Sequence, residues 1–121
     1  MSAVIQRNGT VFISRRPPKG LLGGLWEFPN GEIENEKDLK RSLKTLLKKK
    51  MAVIARVDDP VGTLQHTYSH FKLTLHVYHC QILDGKAPGK WVSIRDLHLF
   101  PMSRLHRIIA RTIGEKFQEM R

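Results

Sequence analysis

A chain of 121 residues fits one domain and can bury a modest core without disulfide or metal staples. Twenty-one Lys and Arg oppose eleven Asp and Glu, a net charge of +10 and a pI of about 10.2. That balance makes a polyanion, foremost nucleic acid, the default partner. The single Cys80 excludes an internal disulfide framework and a cysteine cage for metal, no apolar run approaches the roughly 20 residues of a membrane span, and the N-terminus lacks the features of a secretory signal. These exclusions predict a soluble intracellular domain.

Two short apolar runs, Ala3–Ile5 and Thr10–Ser14, flank "RNG", whose Asn-Gly pair predicts a hairpin turn. "RRPPKG" reads as a basic loop stiffened by Pro17 and Pro18. "LWEF" reads as a short extended piece ended by "PNG". From Asp38 to Lys50, Leu39, Leu43, Leu46 and Leu47 recur at helical spacing, with Lys40, Arg41, Lys44 and Lys48 on the opposite face and Asn35 or Asp38 as the cap. "MAVIARV" and Val61–His66 read as two strands. "FKLTLHVYHCQI" alternates and predicts a long strand with one covered face, Phe71, Leu73, Leu75 and Val77, and an exposed face that includes His76. "KWVSI" reads as a last short strand. "FPMS" breaks the chain before a final helix with Leu105, Ile108, Ile109, Ile113 and Phe117 as its apolar stripe and Ser103 as its N-cap. Trp26, Phe28 and Trp91 are expected in the core. The expected fold class is α+β, a mixed sheet with two main helices and a single domain over residues 1–121.

The segment "GLLGGLWEFPNGEIE" and the helix after it resemble the Nudix fold. Its box places a glycine, a glutamate six positions on, and then Arg-Glu and Glu-Glu pairs on a helix whose carboxylates hold Mg²⁺ against a diphosphate. With Gly31 as the box glycine, the carboxylate positions fall on Lys37, Leu46, Lys49 and Lys50; with a one-residue deletion they fall on Glu36, Thr45, Lys48 and Lys49. The helix supplies no metal-binding carboxylate in either register, and its lysines repel a cation. Glu32, Glu34 and Glu36 precede the helix and read as solvated acids at its N-terminal side. The expectation is a Nudix-like scaffold with no metal site and no hydrolytic centre.

Four segments, "GLLGGLWEFPNGE", "HTYSHFKLTLHVY", "KWVSIRDL" and "FPMSRLHRII", together resemble the C-terminal domain of MutY-type adenine DNA glycosylases. The resemblance implies a domain that reads 8-oxoguanine paired with adenine in base-excision repair. Excision is assigned to a separate N-terminal helical domain with an iron–sulfur cluster. It casts Tyr68, Ser69 and His70 as the lesion-reading loop, Phe-Ser-His in the family. Arg15, Arg16, Lys19 and Ser103 become candidate contacts to the DNA backbone. The implied partners are double-stranded DNA with an 8-oxoguanine:adenine mispair and the protein's own catalytic domain, and the implied setting is the bacterial cytoplasm at the nucleoid. The chain is then a fragment of a longer enzyme, with no catalytic residue and no cofactor of its own, since one cysteine cannot hold a four-cysteine cluster. Two other readings stay open on the residues alone: an active Nudix hydrolase on oxidised nucleotides, and a general basic nucleic-acid-binding module.

Overall fold

In a computed structural model, residues 1–20, 23–67 and 69–119 are described, with side chains to residue 117. The chain runs β1 (Ser2–Arg7), β2 (Thr10–Arg15), β3 (Trp26–Glu27), α1 (Leu39–Met51), β4 (Ile54–Thr67), β5 (Lys72–Asp84), β6 (Lys90–Ser93), a 3₁₀ helix (Ile94–Leu99) and α2 (Arg104–Glu119). The strand order is β3-β2-β1-β5-β4, with β6 paired to β2. β1 lies parallel to β5, with Val4 opposite His79, and the other pairings are antiparallel. The sheet is therefore mixed, as expected.

The β1–β2 turn forms at Asn8 and Gly9, both at positive φ (49° and 77°), the primed-turn geometry that the right-handed twist of a hairpin favours. Asp38 caps α1 through Oδ1, which accepts from the Arg41 N–H at 3.0 Å. Asn35 instead shapes the approach, accepting from Lys37 N–H and exchanging two hydrogen bonds with the buried Ser42 hydroxyl.

Two apolar clusters sandwich the sheet. One gathers Val4, Ile13, Phe28, Leu75, Val77, Ile109 and Ile113 under α2. The other gathers Ala3, Ile5, Phe12, Leu43, Leu47, Val57 and Cys80 under α1. Each fully buried aliphatic side chain contributes about 1.5–3 kcal/mol relative to exposure. Phe12 meets Trp91 edge to face, at 5.6 Å between ring centres.

Five expectations change. Residues 54–67 form one strand, not two. Register irregularities between Val57 and Gly62 shift its inward face, so Ala55 and Val57 join the α1 cluster while Leu64 joins the other. The middle of β5 is covered on both faces: Leu75 and Val77 lie under α2, while Tyr78 and Cys80, followed by Ile82, meet the α1 cluster. Conversely Phe71, expected on the covered face, is 60% exposed because β5 starts one residue later. His76 is half-buried, with its Nδ1 3.5 Å from the Thr63 hydroxyl. The 3₁₀ helix replaces the end of the predicted last strand.

Two substitutions test this packing. A Cβ at Gly89 would strike Phe12 Cζ and lie 2.7 Å from the Ile13 carbonyl. Gly89→Ala is expected to lower unfolding stability by about 1–3 kcal/mol in a urea titration. Ala52 ends α1 at φ 55°, a left-handed position that suits glycine. Ala52→Gly is expected to raise stability by about 0.5–1 kcal/mol in the same assay.

Candidate functional site

The segment from Trp26 to Gly31 is strapped down by backbone bonds before any ligand is considered. Trp26 N–H donates to Pro101 O, Ala3 N–H and the Ser2 hydroxyl both donate to Pro29 O, and Gly31 N–H donates to Met1 O. Phe28 N–H donates to His106 Nδ1 at 3.1 Å across 78 residues. The two rings stack, 6.0 Å between centres and 22° between planes.

This strapped segment forms one wall of a groove of about 500 Å³. The second wall is the stem of the β4–β5 hairpin, where His66 and Leu73 pair. The third is the first turn of α2, with Ser103, Arg104 and His106. Arg16 and Glu27 close one side as an ion pair at 3.2 Å. Trp26 supplies a half-buried ring that meets Phe100 edge to face at 5.3 Å. A larger hollow of about 710 Å³ lies beside Asp58, His79 and Lys116, but no site residue expected from the sequence lines it. The smaller groove is the better candidate because it gathers expected residues.

Of those, Arg16 and Ser103 meet in the groove. Ser69 and His70 are exposed in a bend at the tip of the hairpin whose stem is the groove's wall. Tyr68 lies outside the described residues. Arg15, exposed at the end of β2, is held by the loop that follows, its Nε donating to Gly24 O at 2.9 Å. Lys19 is exposed in the same basic loop. Ser103 O accepts the Arg107 N–H at 2.9 Å, so its backbone opens α2. Trp26, expected in the core, stands in the groove wall, whereas Phe28 is fully buried.

Glu27, Asn30, His66, Arg104 and His106 are groove residues that the sequence pattern did not single out. His106 carried a signal: with Ile109 and Ile113 it falls on a buried stripe at i, i+3 and i+7. A polar residue there needs a partner, and Phe28 N–H is that partner. Burial, opposed by Glu27 and reinforced by Arg16 and Lys50, pushes the His106 pKa down to about 4. The ring is therefore neutral at pH 7, with Nδ1 accepting and the proton on Nε2.

The box helix does not fit a divalent cation. Lys49 Nζ turns back on Glu34 at 3.2 Å, and Lys50 Nζ donates to Asn30 O at 2.8 Å. Among the described residues, no three His, Cys, Asp or Glu converge to hold a metal. Cys80 is a buried thiol pushed up to about 12 by desolvation and by Asp58, which disfavours the thiolate a metal or an iron–sulfur cluster needs. No helix among the described residues is long and apolar enough to cross a membrane.

The profile of the NUDIX domain family matches residues 1–112. The chain belongs to the NUDIX family. Among solved NUDIX-type folds, the E. coli ORF135 protein superposes with a TM-score of 0.77 at 23% identity, over 93% of this chain and 84% of that one. A MutT NUDIX hydrolase from Burkholderia pseudomallei superposes with a TM-score of 0.76 at 16% identity, over 93% and 94%. In sequence, the chain is 29% identical over 85 residues to the CTP pyrophosphohydrolase of Escherichia coli K12, covering 70% of this chain and 63% of that protein. It is 31% identical over 110 residues to the human adenine DNA glycosylase, covering 84% of this chain. The chain spans only 20% of that glycosylase's length.

Because the folded pKa of His106 lies below its unfolded value near 6.5, the unfolded chain binds the extra proton between about pH 4 and 6.5. The stabilisation is full above pH 6.5 and is lost as pH falls through this window, by up to roughly 3 kcal/mol. His79, lowered chiefly by burial, adds in the same direction. A His106 ring titration by NMR should show a midpoint near pH 4, and His106→Asn should flatten the acid limb of the stability profile.

Proposed function

We propose that this chain is the lesion-recognition domain of an adenine DNA glycosylase, reading 8-oxoguanine opposite adenine during base-excision repair. The observation that carries the reading is the charge reversal of the box helix. Where a hydrolytic NUDIX site needs carboxylates, this helix has Lys49 and Lys50 bonded to their own loop. Binding is retained as a task while metal-assisted hydrolysis is not. The alignment with the human glycosylase, 31% identical over 84% of the chain, supports the same conclusion, as does the +10 charge.

Guanine offers N7 as an acceptor in the major groove. Its 8-oxo form carries a proton on N7 and a carbonyl at C8. A reader of the lesion must accept where undamaged guanine asks for a donor. The Ser69 hydroxyl can accept from N7–H, and a site organised for that bond leaves a polar group unpaired against undamaged guanine. His70 and Tyr68 flank Ser69 in sequence. Arg16, Arg104 and the start of α2 at Ser103 suit phosphate, because the first N–H groups of a helix favour anions. Excision of adenine belongs to the remaining length of the enzyme, and the iron–sulfur cluster to its helical domain. In this chain the domain biases where the enzyme acts and breaks no bond.

Binding titrations on duplexes with 8-oxoguanine or guanine opposite adenine test the proposal. The chain should prefer the lesion, and Ser69→Ala should reduce that preference by a factor set by one lost hydrogen bond, about 1 kcal/mol or roughly fivefold. Equal affinity for both duplexes at low and high salt would return the domain to a general basic module. Pyrophosphate release from a nucleoside triphosphate with Mg²⁺ would make it a hydrolase instead.

A further inference from the structure

The outer face of α1 is a row of cations of one sign. Arg41, Lys44 and Lys48 are exposed and fall within roughly 60° of one another around the helix, opposite the buried Leu43 and Leu47. Lys40 is exposed beside them. Among the described residues, none of the three in the row has an ion pair, and residues 39–51 contain no acid. A face selected only for solubility gains from alternating signs at i, i+4, and like charges at that spacing weaken a helix. The row accepts that repulsion twice over about 10 Å, between Arg41 and Lys44 and between Lys44 and Lys48, and a polyanion laid along it removes it.

We infer that this face of α1 is a second, sequence-blind contact for the phosphate backbone of duplex DNA, separate from the groove. Seven residues of helix carry Arg41 to Lys48 over about 10 Å, a length in which one strand of B-DNA presents about three phosphates. The charge density of the row therefore matches that of one strand. The row is rigid: Asp38 caps the helix and the Leu face anchors it to the sheet. Its last turn is tied to the groove rim, since Lys50 Nζ bonds Asn30 O and Asn30 lines the groove. At about 100° per residue Lys50 lies on the side of α1 away from the row, so the row is a contact surface of its own, apart from the groove. This inference rests on the reading above that the partner is duplex DNA, but it concerns affinity and not lesion preference.

The test compares two triple variants of the full 121-residue chain on an undamaged duplex across a salt series. One is Arg41→Gln, Lys44→Gln, Lys48→Gln. The other removes three exposed cations outside the helix, Lys86→Gln, Arg95→Gln, Arg111→Gln, for the same change in net charge. Glutamine keeps helix propensity, and circular dichroism verifies folding. The α1 variant should bind about tenfold more weakly at moderate salt, and the slope of log affinity against log salt should shrink by about 2–3, while the control keeps most of the wild-type slope. Equal loss in both variants would reduce the effect to net charge and overturn the inference, as would an unchanged slope in the α1 variant. The lesion-to-undamaged affinity ratio reads the other question: a ratio of one in the unmodified chain sinks the lesion-reading proposal yet leaves the α1 comparison intact.

Discussion

A backbone N–H cannot be buried without an acceptor, and at Phe28 the acceptor is the ring nitrogen of His106. That one bond joins residue 28 to α2 across most of the chain, and much else follows from it. Phe28 can then fill the centre of the cluster under α2 while its neighbours stay at the surface. Trp26 and Glu27 on one side and Asn30 on the other become walls of the groove. The bonds from Ser2, Ala3 and Met1 fix the same segment from the direction of β1, so the groove rests on the sheet and on α2 together. A neutral histidine is the suitable partner: it offers an acceptor to Phe28 without bringing a charge into the core.

The rigidity of that segment divides labour within the site. The groove walls come from regular elements and strapped backbone, whereas Ser69 and His70 sit at a hairpin tip beyond the last paired residues, Thr67 and Lys72. A tip of this kind can adjust to a base while its stem stays in register, which is how binding loops on fixed scaffolds commonly work. The cations divide similarly. Arg15 and Arg16 are engaged within the protein, with Gly24 and Glu27, and of the two only Arg16 stands at the groove. On α1, Arg41, Lys44 and Lys48 project outward with no ion pair among the described residues, whereas Lys49 and Lys50 bond Glu34 and Asn30 O.

Elements with a clean period were legible in the sequence. α1 was read from Leu39, Leu43, Leu46 and Leu47, α2 from Leu105, Ile109 and Ile113, and the first turn from Asn8-Gly9, because each depends on local chemistry alone. The long strand β4 was not, since its irregularities near Pro60 break the alternation that marks a strand. The second covered face in the middle of β5 was also hidden: Tyr78 and Cys80 pack toward α1 where the strand pairs in parallel with β1, and no local pattern encodes that neighbour. The groove was half legible. Arg16 and Ser103 stand out as residue types near motifs, but Glu27, Asn30 and His66 join them only through the strapping of residues 26–31 and the pairing of β4 with β5.

Charge on α1 could change sign without disturbing this frame because the fold uses only the helix's other side. Leu43, Leu47 and Ser42 face inward, and the close approach of Gly31 to Leu46 sets the loop against them. None of those contacts involves a carboxylate. Substitutions at exposed helical positions usually move stability little, whereas replacing a buried leucine costs several kcal/mol. A helix that holds a metal and one that carries a cationic row can thus share one core. In this chain two of the lysines even supply ties of their own, from Lys49 to Glu34 and from Lys50 to Asn30, across the place where a bound cation would otherwise draw loop and helix together. Two exposed lysines contribute little energy there. Their consequence is electrostatic: Lys49 offsets the charge of Glu34 and Lys50 holds a cation at Asn30 O, so the end of the helix repels a metal ion where a carboxylate would attract one.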